Sequence, residues 1–173
     1  ESRRSSRRRP MGESLNAMAT TDTTEAVQQL RQALGTQRVS TAEEDLSVYA
    51  FDGTAVLHQL PACVVLPETV EEVVQILRVA NETATPVVTR GSGSGLSGGS
   101  VPTPGCIVMC LVRLNRIIEV DTANLTMTVE PGVLTQAIAD AAGGAGLFYP
   151  PDPGSIKIST IGGNEIGRAS CRE

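Results

Sequence analysis

The alternation of apolar and polar positions changes period along the chain, and each change marks an element. From Thr24 to Leu34 (TEAVQQLRQAL), Ala26, Leu30 and Leu34 recur at helical spacing, with Thr24 placed as N-cap and Gly35 as the stop. A mixed segment with Tyr49, Asp52 and His58 follows. Cys63 to Leu66 is short and wholly apolar, which predicts a buried strand. Pro67 and Thr69 then open a second helix in which Val70, Val73, Val74, Leu77 and Ala80 share a stripe, with Thr69 and Glu72 as a capping box. Together with the strand PVVT, Pro86 to Thr89, this predicts a βαβ unit, hence two parallel strands joined by a helical crossover.

The second half returns to strands. Cys106 to Leu111 is one; Arg116 to Val120 and Leu125 to Glu130 predict a pair across the turn DTAN, ended by Pro131 and Gly132. A helix is expected over Val133 to Ala142. No repeat of about 20–50 residues and no low-complexity linker interrupts this order. The fold class is α+β: a βαβ subdomain followed by the start of a second, mixed or antiparallel one. The expected division is a helical segment over 24–61 and a core domain over 62–164.

Composition narrows the picture. A chain of 173 residues suits one domain, or one subdomain with part of another. Apolar residues make up 40% and aromatics 2%, so the core is expected to consist of Val, Ile, Leu and Ala. No run approaches the roughly 18 apolar residues of a membrane span, and a soluble, cytoplasmic protein is expected. The net charge is −5, yet Arg3, Arg4, Arg7, Arg8, Arg9, Arg168 and Arg172 sit at the two ends. Between Met11 and Asn164, seven basic residues face sixteen acidic ones. That body argues against nucleic acid as a partner, because phosphates call for clustered Lys and Arg. The basic start ESRRSSRRRP is open to reading as a nucleic-acid arm or part of a transit peptide. The plainer expectation is a disordered leader over 1–23, or sequence upstream of a start at Met11 or Met18.

Cys63, Cys106, Cys110 and Cys171 fit neither a secreted disulfide framework nor zinc spacing, and reduced thiols with no metal site are expected. The lone histidine, His58, has no partner motif and reads as an exposed or packed residue.

The chemistry concentrates in TRGSGSGLSGGS, Thr89 to Ser100. This segment begins where the second strand of the βαβ unit ends, and such sheets bind ligands beyond the carboxyl ends of their strands. Glycines let main-chain N–H groups close on a bulky anion and permit the φ > 0 conformations of an anion-binding nest. Ser92, Ser94 and Ser97 add hydroxyl donors, and the set suits a diphosphate; a flexible surface loop is the plain alternative. No Lys completes a P-loop. Gly93, Gly95 and Gly98 spell GxGxxG, but GSVPTPG follows where a dinucleotide-binding turn must open a helix.

Taken in order, ACVVLPETVEEVVQILRVANE, PVVTRGSGSGLSGG, LNRIIEVD, TVEPGV, YPPDPGS and STIGGN resemble the N-terminal part of FAD-linked oxidases with a PCMH-type FAD-binding domain. Within that family the chain looks most like the glycolate oxidase and D-lactate dehydrogenase branch. The resemblance implies that Arg90, Gly91, Ser92, Gly93, Ser94, Gly95, Leu96, Ser97, Gly98 and Gly99 form the diphosphate loop. It implies that Pro151, Asp152, Ser155, Thr160, Gly162, Gly163 and Asn164 belong to later segments passing the flavin. Some members of the wider superfamily attach flavin through a histidine in this loop; Ser94 stands there here, which implies non-covalent FAD.

The implied activity is oxidation of a 2-hydroxy acid such as glycolate or D-lactate, with a hydride equivalent passing to flavin and then electrons to a second acceptor, and with partner subunits open. Family members draw the groups that act on substrate mainly from a later substrate domain, so no catalytic residue is assigned. Alternatives are a branch resembling 2-hydroxyglutarate dehydrogenase or alkylglycerone-phosphate synthase, a non-catalytic module, or a binder of another phosphate ligand. After STIGGN the chain leaves the family pattern: EIGRASCRE, 165–173, resembles the translation of an adapter read-through. It is expected to be a non-native tail on a truncated FAD domain.

Overall fold

The computed structural model describes residues 12–54 and 56–168. The arginine-rich start, Cys171 and the last five positions of the expected tail lie outside the described residues. The first helix, α1 (Gly12–Leu34), begins well before the predicted start. Thr24 is therefore an interior residue and not an N-cap, and 12–23, expected as leader, is helical. No proline or glycine between Glu13 and Thr24 interrupts the turn.

After a 3₁₀ turn at Thr36–Arg38 come β1 (Val39–Ser40), α2 (Glu43–Val48), β2 (Cys63–Val65), α3 (Val70–Glu82), β3 (Val87–Arg90) and β4 (Ile107–Cys110). The sheet order is β1-β2-β4-β3, with β4 parallel to both neighbours and β1 an antiparallel edge. The βαβ unit is present, but β4 returns between its two strands, with Val108 level with both Val64 and Val88. Both faces of this sheet are covered. Cys63, Val65, Ile107 and Met109 pack under Ala26, Leu30, Ile76 and Val79. Val64, Cys106 and Val108 pack on the other side with Leu46, Tyr49 and Leu60. Burial on both faces explains why these strands are apolar throughout and do not alternate.

In α3 the predicted stripe holds only in part: Ala80 is buried and Val73 packs against the core. Ile76, Val79 and Ala80 are the buried residues, whereas Val70, Val74 and Leu77 are exposed. Apolar residues occupy two overlapping stripes, and the one facing α1 wins the core because it closes over the sheet. The cap is as expected at Thr69, whose Oγ1 accepts from the Glu72 amide at 3.2 Å. Glu72, however, takes the amide of Glu68 at 2.7 Å instead of that of Thr69.

The second unit holds the antiparallel pair β5 (Ile117–Asp121) and β6 (Thr126–Val129), then α4 (Thr135–Gly144) and α5 (Ile161–Arg168). The turn is built by Asp121, whose Oδ1 accepts from the amides of Ala123 at 2.9 Å and Asn124 at 3.0 Å. Val133 and Leu134, expected in the helix, precede it: Leu134 is extended and bridges Thr160. Val133, Ile138 and Ile161 form a small core against Ile117, Met127 and Val129.

Candidate functional site

β3 delivers Arg90 at its carboxyl end, and the chain then runs through the glycine loop before returning as β4. A cavity of about 370 Å³ opens there. One wall is Arg90 to Gly95 with Ser97 and Gly99; the other is Pro131 and the start of α5, with Thr160, Gly162, Gly163 and Asn164. Two segments some seventy positions apart in sequence thus meet across one space. Leu96, Gly98, Pro151, Asp152 and Ser155 do not line it. The 150s turn is drawn toward α4 instead, where the Gln136 amide donates to the Ile156 carbonyl at 3.0 Å.

Three glycines matter for distinct reasons. Gly93 has φ +75°, which a side chain rarely adopts, and a Cβ there would overlap the Arg90 guanidinium. At Gly91 a Cβ would overlap Thr160 Oγ1, so the two walls approach this closely only over bare backbone. Gly95 lines the cavity with nothing nearer to a Cβ position than Asp52 Oδ2, at 4.0 Å.

Arg90 is 8% exposed. Its Nη1 donates to the carbonyls of Tyr49 and Phe51, each at 3.0 Å, and the guanidinium lies 5.3 Å from the centre of the Tyr49 ring. Among the described residues no carboxylate stands within ion-pair distance of it, and its Nε is buried without a partner. A buried cation is costly without an opposite charge, so the cavity it borders favours an anion.

Asp52, to which sequence reasoning gave no role, sits behind the loop at 7% exposure. Its Oδ1 accepts from the Thr54 amide at 2.8 Å. Burial pushes this carboxyl up, but the donors from Thr54 and the amides of Ser100 and Gly98 outweigh that and hold it below its usual range. Gly98, outside the cavity, has φ +74°. Next to it, the Gly53 amide donates to the Gly95 carbonyl at 2.8 Å. FDGT reads locally as a turn, and nothing nearby in sequence signals its contact with a loop more than forty residues on.

At the opposite wall the amides of Ile161 and Gly162 donate to the carbonyls of Val133 and Pro131, each at 2.9 Å. Asn164 Nδ2 donates to Thr135 Oγ1 at 2.5 Å, and that hydroxyl also meets Ser159 Oγ at 2.9 Å. Asn164 therefore fixes the helix start with its side-chain amide, leaving its carbonyl oxygen for other contacts. His58 is exposed and stacks on Phe51, with ring centres 6.5 Å apart. Cys63, Cys106 and Cys110 are buried free thiols; burial raises all three, Cys63 to about 12. Among the described residues no helix is long and apolar enough to cross a membrane.

Comparison with known proteins accords with this geometry. The glycolate oxidase protein GlcD of Bacillus subtilis (strain 168) is 42% identical over 142 residues, which are 82% of this chain and 30% of that protein. D-2-hydroxyglutarate dehydrogenase of Xanthomonas citri pv. viticola is 38% identical over 135 residues, 78% of this chain and 29% of that protein. The chain thus spans about 30% of the length of these curated relatives. The solved structure of an alkyldihydroxyacetonephosphate synthase superposes with a TM-score of 0.72 over 81% of this chain and 28% of that one, at 20% identity, which speaks to fold alone. Residues 61–172 match the family profile described as FAD binding domain, and the chain belongs to that FAD-binding family.

Proposed function

We propose that the chain is the cofactor-holding part of a flavoenzyme that oxidises a 2-hydroxy acid of the glycolate or D-lactate kind, with FAD bound non-covalently. One observation carries this reading: buried Arg90, without a carboxylate partner among the described residues, borders a cavity whose wall is bare glycine backbone. The donor set fits a diphosphate. Loop amides approach without Cβ atoms in the way, Ser92, Ser94 and Ser97 add hydroxyls or line the mouth, and the arginine supplies the opposite charge. Within the family shown above, the diphosphate is that of FAD.

Bound FAD would supply the hydride acceptor. The loop from Gly91 to Gly95 would hold its phosphates, and the wall from Thr160 to Asn164 would fix the direction in which the cofactor leaves the loop. Among the described residues no histidine lines the cavity, and His58 stacks on Phe51 elsewhere, which supports a non-covalent mode. The relatives support this substrate class, since their names specify glycolate and D-2-hydroxyglutarate, both 2-hydroxy acids. Groups that orient the acid and take its proton are assigned to the part of those relatives this chain does not span, and the electrons pass on to a separate acceptor.

The test is titration of the 173-residue chain with FAD, followed by flavin fluorescence. Saturable binding that is lost in Gly95→Leu supports the reading. A folded chain that leaves flavin fluorescence unchanged at every concentration rejects it. For the substrate class, a chain extended to the relatives' length is mixed with glycolate, D-lactate or D-2-hydroxyglutarate without oxygen; bleaching of the flavin absorbance by none of them rejects that part.

A further inference from the structure

We propose that Thr135 is a positioning residue for the cavity: its buried hydroxyl holds both ends of the wall segment Ser159 to Asn164 and so sets that wall against the glycine loop. The inference rests on the FAD reading above and concerns the same site.

Thr135 is the first residue of α4 and is fully buried. A threonine at a helix start commonly caps its own helix. Here the N-cap is Leu134, which offers no side-chain cap, and the first two amides of α4 are met from the wall instead. That of Thr135 donates to the Ser159 carbonyl and that of Gln136 to the Ile156 carbonyl, each at 3.0 Å. The Thr135 hydroxyl is thereby left for tertiary contacts. It donates to the Ser159 carbonyl at 3.1 Å, meets Ser159 Oγ at 2.9 Å and accepts from Asn164 Nδ2 at 2.5 Å. A hydroxyl has one proton and two lone pairs, so these three contacts use it completely.

Ser159 and Asn164 both line the cavity, and one oxygen behind the wall ties them together. Between them stand Thr160, whose Oγ1 closes on Gly91, and Gly162, where a Cβ would come 2.8 Å from Pro131 Cβ. This stretch needs an outside restraint. The helix α5 has only eight residues, and two of its first three, Gly162 and Gly163, are poor helix formers. Left loose, the turn would be ordered at the expense of the ligand's binding energy. Thr135 itself does not line the cavity, so its effect on a ligand passes through Ser159 and Asn164.

The test compares Thr135→Val, which keeps the shape and loses the hydroxyl, and Thr135→Ser, which keeps the hydroxyl, with the unaltered 173-residue chain. FAD titration and amide hydrogen exchange without FAD are the readouts. Thr135→Val should weaken FAD binding by about fivefold or more, and Thr135→Ser should stay within about twofold of the unaltered chain. Exchange should rise in Thr135→Val at the Ile161 and Gly162 amides, which donate to the Val133 and Pro131 carbonyls, and not at Val64 and Val108 in the sheet. A general loss of stability would raise all four. Where Thr135→Val fails to fold, Asn164→Ala removes one arm of the network and is read through exchange alone, because Asn164 itself lines the cavity. Unchanged exchange at Ile161 and Gly162 overturns the proposal, as does an FAD affinity that Thr135→Val leaves intact or that Thr135→Ser fails to restore. Should the unaltered chain bind no FAD, the functional reading fails, and exchange alone still decides whether Thr135 holds the wall.

Discussion

Arg90 reaches back across thirty-nine residues to donate to the Phe51 carbonyl at 3.0 Å, joining the end of β3 to the segment behind the glycine loop. Its second carbonyl, that of Tyr49, lies at the same distance. Replacing Arg90 by Met leaves both carbonyls unpartnered and removes the positive charge from the cavity. Such losses predict destabilisation by about 2–4 kcal/mol in urea unfolding. FAD affinity should fall with it, and Arg90→Lys should recover part of each.

Gly91 and Thr160 bring β3 and α5 together. Gly91→Ala sets its Cβ into Thr160 Oγ1 and should lower the unfolding midpoint. Thr160→Ala removes that oxygen, so the double variant should be more stable than the sum of the two single changes, by about 0.5–3 kcal/mol as is usual for residues in contact. Additivity in the double-mutant cycle would deny that the two walls touch as described.

The phase of α3 is testable by paired truncations. Ile76 is fully buried and Leu77 is 47% exposed. Ile76→Ala is expected to cost about 2–4 kcal/mol, and Leu77→Ala no more than about 0.5 kcal/mol. Equal costs would restore the stripe read from the sequence.

Cys63 makes a prediction at high pH. Burial holds its thiol protonated up to about 12, against 9.0 for an ordinary thiol. The unfolded chain ionises first, so this contribution to stability is fully present below pH 9.0 and is lost between there and about 12. Stability in Cys63→Ala should decline less over that range. At about pH 8, still below the ordinary thiol value, the folded chain should protect Cys63 from a thiol reagent that labels it once unfolded.

At low pH the sign reverses. Arg116 donates to Glu130 from Nε at 3.0 Å and Nη2 at 2.7 Å, and its amide donates at 2.7 Å. Those side-chain and backbone bonds lower the Glu130 carboxyl below 4.5. Its contribution is present above pH 4.5 and is lost as pH falls through the folded value. Acid unfolding of Glu130→Gln should therefore show a shallower pH dependence.

Much of the fold was legible because strands buried on two faces leave uninterrupted apolar runs: Cys63 to Val65 and Ile107 to Cys110 fall inside the predicted strands. The place of β4 between β2 and β3 was not, since order across a sheet depends on long-range pairing. Nor was the phase of α3, where seven apolar positions left two stripes in competition. The glycine loop announced itself through composition. Its support did not, because Tyr49 and Phe51 act through carbonyls brought near only by the fold. Thr160, Gly162, Gly163 and Asn164 came from resemblance, and the reason they meet Gly91, the bare approach at Thr160, is visible only in three dimensions.

The most direct test of the central claim is a two-dimensional amide NMR titration of the chain with FAD. The account predicts that the largest shifts fall on Gly91, Gly93 and Gly95, with smaller ones at Gly163 and little change at Gly98, which does not line the cavity. Saturable FAD binding that leaves Gly91, Gly93 and Gly95 unmoved would contradict it.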